Sequence, residues 1–147
     1  MLLAGDIGGT KTVLALFERQ AGAALITRHP VLERTFPSQQ YASLELIIEE
    51  FLRDCPHTVA AASFGVAGPV VDSRAQVTNL PWVIDAAAIG EQFGFGVHLL
   101  NDLEALATAV PYLQGADLIT LNEGQAVEHG AIGVIAPGTG LGEGFLV

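Results

Sequence analysis

Three short segments combine residue types that can do chemistry on a phosphate or a polyol. The first is Gly5-Asp6-Ile7-Gly8-Gly9-Thr10-Lys11-Thr12. Its glycines let backbone N–H groups approach an anion without Cβ interference. Asp6, at the end of an apolar run, can hold a hydrated Mg²⁺, and Thr10 and Thr12 add hydroxyls. The same bend also serves simply to close a hairpin. The second segment is Gly138-Thr139-Gly140-Leu141-Gly142, again a glycine and threonine bend after an apolar run, Ala131 to Ala136. Two such bends could grip one polyphosphate from both sides, although this one alone also reads as a glycine-rich hairpin. The third is Asn101-Asp102, following Val97 to Leu100. Ligands of open α/β sheets gather at the carboxyl ends of strands. An Asn amide both donates and accepts, which suits a pair of sugar hydroxyls. A neighbouring carboxylate can take the proton of an attacking hydroxyl. Asn and Asp are equally the preferred caps of a following helix.

Two established phosphate motifs fit poorly. Gly5 to Thr12 has P-loop spacing except that Thr10 stands where the second glycine belongs, and Val13 to Phe17 reads as a strand rather than a helix. Gly138 to Glu143 has glutamate in place of the last glycine of a dinucleotide fingerprint. His29, His57, His98 and His129 show no metal-ligand spacing, and Cys55 has no second cysteine with which to form a thiolate site or a disulfide. Trp82, in a proline-containing loop, suits a buried anchor better than a stacking platform.

The elements that would position these segments follow from apolar periodicity. Leu2–Asp6 and Thr12–Phe17 flank the first bend as a hairpin. A third strand lies within Leu25–Phe36, broken or confined to an edge by Pro30. A helix is expected from Ser38, with Leu44, Ile47, Ile48, Phe51 and Leu52 on one face, ending before Pro56. Val59 to Val66 has the pattern of a strand covered on both faces. A hairpin around Asp72-Ser73 and an irregular loop at 79–82 follow. Asp85 caps a helix running to about Phe93 and stopped by Gly94. Val97 to Leu100 reads as another buried strand, with a helix from Asn101-Asp102 to about Val110. Leu118–Asn122, Ala131–Ala136 and Gly144–Val147 read as further strands. Three antiparallel strands followed by αβ crossovers imply an α/β fold with a mixed sheet and helices on its faces.

The 147 residues are half apolar and only 15% charged, which excludes a disordered chain. The net charge of −10 argues against nucleic-acid binding by bulk charge. No apolar stretch approaches a membrane span of about 18 residues, and the start has no basic region of a signal peptide. With one cysteine, the expected location is a reducing cytoplasm.

Taken together, the chain resembles the bacterial glucokinases of the actin-like, hexokinase-type sugar kinase superfamily. The resemblance rests on Gly5-Asp6-Ile7-Gly8-Gly9-Thr10, Gly65-Val66-Ala67-Gly68-Pro69-Val70, Thr78-Asn79-Leu80-Pro81-Trp82, Asn101-Asp102-Leu103-Glu104-Ala105 with Ala109-Val110-Pro111, and Gly138-Thr139-Gly140-Leu141-Gly142, in family order across nearly the whole chain. It implies an actin-like, ribonuclease H-like lobe over residues 1–110 and the start of a larger second lobe over 111–147. It also implies transfer of the ATP γ-phosphoryl group to the 6-hydroxyl of glucose or a similar hexose.

The same resemblance assigns roles by position. Gly5, Asp6, Ile7, Gly8, Gly9 and Thr10 would bind nucleotide, with Asp6 reaching Mg²⁺ through water, and Gly138, Thr139 and Gly140 would form the second phosphate segment. Asn79 and Asn101 would hold the sugar, and Asp102 would be the catalytic base. Lys11-Thr12 departs from the Asn usual in proteobacterial glucokinases and is similar to the repressor–ORF–kinase family, whereas Asp102 to Pro111 favours the glucokinase branch. Family members are longer, so the chain is expected to be an N-terminal part, weakly active or inactive alone, of a homodimeric enzyme. A sugar-sensing regulator of the same superfamily, or a kinase for another hexose or N-acetylhexosamine, are the alternatives.

Overall fold

The computed structural model describes residues 1–18, 29–53, 55–125, 127–128, 130–137 and 141–146. Gly8-Gly9-Thr10 reverses the chain between β1 (Leu2–Ile7) and β2 (Lys11–Phe17), which pair antiparallel with Ile7 opposite Thr12. β3 (Leu32–Pro37) adds antiparallel to β2, at the sheet edge anticipated from Pro30. α1 (Leu44–Leu52) buries Leu44, Ile47, Ile48 and Phe51, the i, i+3, i+4, i+7 stripe seen in the sequence. β4 (Ala61–Val66) pairs parallel with β1. β5 (Val70–Val71), β6 (Arg74–Gln76) and β7 (Val83–Asp85) form a separate small antiparallel sheet. Its first turn places Asp72 and Ser73 at φ 50° and 59°, the left-handed pair of a two-residue hairpin.

α2 (Ala86–Phe93) starts where expected. The Asp85 carboxylate accepts from the amides of Ala87 and Ala88 at 2.9 and 3.2 Å, and Gly94 ends the helix at φ 77°. β8 (Gly96–Asn101) then pairs parallel with β4, giving the mixed sheet that the sequence implied, in the order β3-β2-β1-β4-β8.

One face of this sheet builds the core. Leu3, Ile7, Leu14, Leu16, Phe36, Phe64 and Val66 pack with the α1 stripe and with Ile84 and Ile89, all nearly or fully inaccessible. Gly5 sits in the middle of this face. A Cβ there would lie 2.7 Å from the Phe64 ring, so the missing side chain is what admits Phe64.

Four expectations are corrected. The α1 helix begins at Leu44 behind Ser43, not at Ser38. Ser38 opens a 3-10 turn, and its hydroxyl is committed to the Gly8 carbonyl rather than to a helix end. β4 is buried on one face only: Ala62, Phe64 and Val66 point inward, whereas Ser63 is exposed. β8 is an edge strand in which Leu99 alone is buried, because a strand with one neighbour has one unpaired flank. Residues 118–122 form no strand, since no described segment pairs with them, and Ile119 and Leu121 are almost fully exposed.

The chain divides into two compact units, Met1–Asp102 and Leu103–Val147. α3 (Asp102–Ala109) begins on the last residue of the first. The second unit continues through 3-10 turns at Val110–Tyr112 and Gly115–Asp117 to an antiparallel hairpin of β9 (Ile132–Pro137) and β10 (Leu141–Leu146). Leu103 lies against this hairpin at Gly142, where a Cβ would come within 3.3 Å of its methyl. No helix among the described residues is long and apolar enough to cross a membrane.

Candidate functional site

The three parallel strands of the first unit end in one row. Ile7 is opposite Val66, and Val66 is opposite Asn101. Neighbouring strands are about 4.8 Å apart, so residues 7 and 101 are separated by about 10 Å across the sheet. The chain therefore leaves the same sheet end at Gly8, at Ala67 and at Asp102. These are the carboxyl ends of the strands, where open α/β sheets collect their ligands.

Hydrogen bonds tie the three exits together. The Ala67 amide donates to the Ile7 carbonyl at 2.9 Å, and the Thr78 amide donates to the Ala67 carbonyl at 2.8 Å. Asn101 Nδ2 donates to the Gly68 carbonyl at 3.0 Å. Gly9 is pressed on the 78–79 backbone: a Cβ on it would stand 2.6 Å from the Thr78 oxygen and 3.4 Å from Asn79 Cβ. Gly68 is tighter still, with its would-be Cβ 2.2 Å from the Gln76 oxygen. Glycine is thus required at 9 and 68 by close backbone approach, not by a left-handed conformation.

The 77–82 loop closes on itself and is anchored from below. The Val77 amide donates to the Trp82 carbonyl, and Gln76 Nε2 donates to the carbonyls of Leu80 and Trp82. Trp82 is buried, and its indole N–H donates to the Tyr41 carbonyl at 3.2 Å. This is the anchoring role expected from its burial preference. Tyr41 lays its ring edge-on to Phe36 and donates its hydroxyl to Glu50. Burial, and then the Glu50 carboxylate, push the Tyr41 phenol above its ordinary pKa. Asn79 sits on top of this loop with φ 65° and is exposed. A left-handed non-glycine residue is a strained conformation of the kind that collects at functional sites.

Asp6 and Asp102 are both exposed at this end of the sheet. Asp6 is the penultimate residue of β1, opposite Val13 and Gly65. Among the described residues no group of three or more His, Cys, Asp or Glu gathers to hold a metal. A lone carboxylate suits Mg²⁺, which keeps several waters and takes one or two carboxylates plus substrate phosphates. The amides of Gly9 and Thr10 have no acceptor among the described residues, whereas the Gly8 amide donates to the Lys11 carbonyl. Gly8, Gly9, Thr10, Asn79, Asn101 and Asp102 therefore stand around one sheet end, with Ile7 buried beneath them. Gly5 lies one turn of the pleat lower, in the core. Gly138, Thr139 and Gly140 lie outside the described residues.

The sequence reading did not single out Ser38 or Gly68 as parts of this site. Ser38 was taken up in the expected start of the α1 helix. Gly68 was visible as a turn residue, but its grip on Asn101 depends on the pairing of β4 with β8, which no local pattern encodes.

Comparison with known proteins identifies the family. The model of the glucokinase family matches residues 3–147. The glucokinase of Nostoc punctiforme is 37% identical over 149 residues, covering all of this chain and 43% of that protein. The glucokinase of Synechocystis is 33% identical over 153 residues, covering 99% of this chain and 43% of that protein. Among solved structures, a glucokinase from an Antarctic psychrotroph superposes with a TM-score of 0.85 at 34% identity, over 99% of this chain and 46% of that one. The chain thus spans about 43% of the length of the curated relatives it matches. With a family match over nearly every residue and relatives at this identity along the whole sequence, the chain belongs to the glucokinase family.

Proposed function

We propose that this chain is the N-terminal portion of an ATP-dependent glucokinase, which transfers the γ-phosphoryl group of ATP to the 6-hydroxyl of glucose. The observation that carries the reading is the common row of strand ends, from which the Gly8–Thr10 turn, the Ala67-Gly68 turn and Asn101-Asp102 all emerge. Phosphoryl transfer asks a protein for positioning and charge neutralisation more than for covalent help. In this reading the Gly9 and Thr10 amides face the polyphosphate. Asn101, oriented by its bond to the Gly68 carbonyl, holds sugar hydroxyls together with Asn79. Asp102 accepts the proton of the 6-hydroxyl as its oxygen forms a bond to the γ-phosphorus, the bond to the β–γ bridging oxygen breaks, and ADP departs. Mg²⁺, held by Asp6 through water, would supply charge neutralisation on the phosphate oxygens.

The second phosphate segment in this reading is Gly138-Thr139-Gly140. Residues 1–110 would belong to the smaller lobe and 111–147 to the beginning of the larger one. The complete enzyme would be a cytoplasmic homodimer, and the isolated 147-residue chain would be weakly active or inactive. The test is a coupled assay of glucose 6-phosphate formation by the full-length protein, with N-acetylmannosamine and fructose as competing acceptors. Saturable, ATP- and Mg²⁺-dependent phosphorylation of glucose is expected. Preference for another acceptor would refute the assignment of glucose, and no transfer to any sugar would refute the kinase.

A further inference from the structure

We infer that Ser38, supported by Thr12, is a positioning residue that sets the direction of the phosphate-facing Gly9 amide in the Gly8–Thr10 turn. The inference rests on the kinase reading above and extends it to two buried hydroxyls to which neither the sequence nor the family comparison assigns this role. Ser38 and Thr12 are the buried polar residues among those described, and both are fully inaccessible. Burying two hydroxyls in an apolar core is unfavourable unless each is bonded, and these two are bonded in a defined order. Ser38 Oγ donates to the Gly8 carbonyl at 2.8 Å. Its single hydrogen being used there, the 2.9 Å contact with Thr12 Oγ1 has Thr12 as donor. The Ser38 amide meanwhile donates to the Thr10 carbonyl at 3.0 Å.

One residue therefore holds two peptide planes of the same turn, those following Gly8 and Thr10. In a trans peptide the C=O and N–H point in opposite directions, and the described backbone has no cis bond. Fixing the Gly8 oxygen toward buried Ser38 turns the Gly9 N–H away from the core, toward the open end of the sheet. Glycine on both sides gives the Gly8–Gly9 plane a freedom that the Ser38 bond to the Gly8 carbonyl removes. Donors already aimed at an anion need no reorganisation when it binds.

The experiment is steady-state kinetics on the full-length enzyme carrying Ser38→Ala, with Thr12→Val as a second variant of nearly unchanged volume. Ile47→Val, in the α1 core, serves as the control for simple destabilisation. Mis-aiming one hydrogen bond to a charged phosphate raises the KM for ATP by about tenfold or more, while the KM for glucose stays within about twofold. Thr12→Val gives a smaller rise in the same constant. An unchanged KM for ATP, or a parallel rise in both constants matched by Ile47→Val at equal loss of Tm, overturns the inference and leaves the kinase reading standing. If Ser38→Ala does not fold, Thr12→Val decides on the same two constants. A wild-type enzyme that transfers no phosphoryl group removes the kinase reading, and this inference with it.

Discussion

Gly68→Ala offers a sharp test of how Asn101, the proposed sugar-holding residue, is kept in place. The substituted Cβ would lie 2.2 Å from the Gln76 oxygen, whereas real Cβ contacts stay beyond 3.0 Å, so one of two backbones must retreat by about 0.8 Å. Neither can do so freely. Gln76 is clamped within β6 and bonds the 80 and 82 carbonyls, while the residue 68 carbonyl accepts from Asn101. Overpacking of this kind costs about 1–3 kcal/mol of stability, and displacement of a substrate-positioning group by about 1 Å can cost about 10²-fold in rate. The full-length Gly68→Ala enzyme should therefore lose Tm and show kcat/KM for glucose reduced by one to two orders of magnitude, with KM for ATP much less affected. Gly96→Ala is the matched control: nothing lies within 4 Å of its would-be Cβ and its backbone is ordinary strand, so both properties should be unchanged or slightly improved. Thermal denaturation and the coupled assay measure both. A Gly68→Ala enzyme with wild-type stability and wild-type glucose kinetics would refute the claim that this close approach orients Asn101.

Three further outcomes are expected. With Asp102 as the base of the proposed reaction, Asp102→Asn should lower kcat by about 10²–10⁴ and leave the KM for ATP nearly unchanged, because the Gly8–Thr10 turn is intact; steady-state kinetics in both substrates checks it. Phe51→Ala should cost about 3–5 kcal/mol in denaturant unfolding, because the ring is fully buried in the core and packs edge-on to Phe36. Asp85→Asn should lower Tm at neutral pH. The Ala88 amide, the Arg74 guanidinium and the Ala87 amide hold the Asp85 carboxyl below its ordinary range, so its stabilisation is complete above the unfolded value near 3.9 and fades as pH falls through the lower folded value. The Tm difference between wild type and Asp85→Asn should accordingly shrink in that acid range; a difference independent of pH would contradict the contribution of the carboxylate charge.

Local signals carried much of the first unit. The Gly-Gly bend between two apolar runs, the stripe from Leu44 to Phe51, and the Asp85 cap with its Gly94 stop each depend on neighbours within a turn or two, and each formed as read. Ser38 shows the limit of that vocabulary. It stands where a helix was expected to begin, yet its hydroxyl bonds the Gly8 carbonyl, 30 residues away in sequence. The segment 118–122 shows another limit. Its apolar residues fit a strand, but a strand exists only with a partner, and none of the described segments supplies one. The exposed face of β4 has the same origin, since a continuous apolar run records what could be covered and not what covers it. Asn101 was legible as a candidate; the carbonyl that orients it was not, because only strand pairing brings residue 68 to residue 101.

Register also explains how so acidic a chain could receive the polyphosphate of the proposed reading. With six basic and sixteen acidic residues, a surface of lysines and arginines is not available to it. Backbone amides carry no net charge and add nothing to that balance, so they can be aimed at an anion wherever the fold leaves them without acceptors. β1, β4 and β8 stop at Ile7, Val66 and Asn101, one row across the sheet, and the turns that follow must therefore share one end. A slip of one residue in either parallel pairing would invert every side chain of the shifted strand between core and solvent. Leu3, Ile7, Phe64 and Val66 forbid that slip by being buried on a single face. The apolar pattern that stabilises the sheet is thus the same constraint that brings the Gly8–Thr10 turn and Asn101-Asp102 to one edge, and a substitution that loosens the first must blur the second.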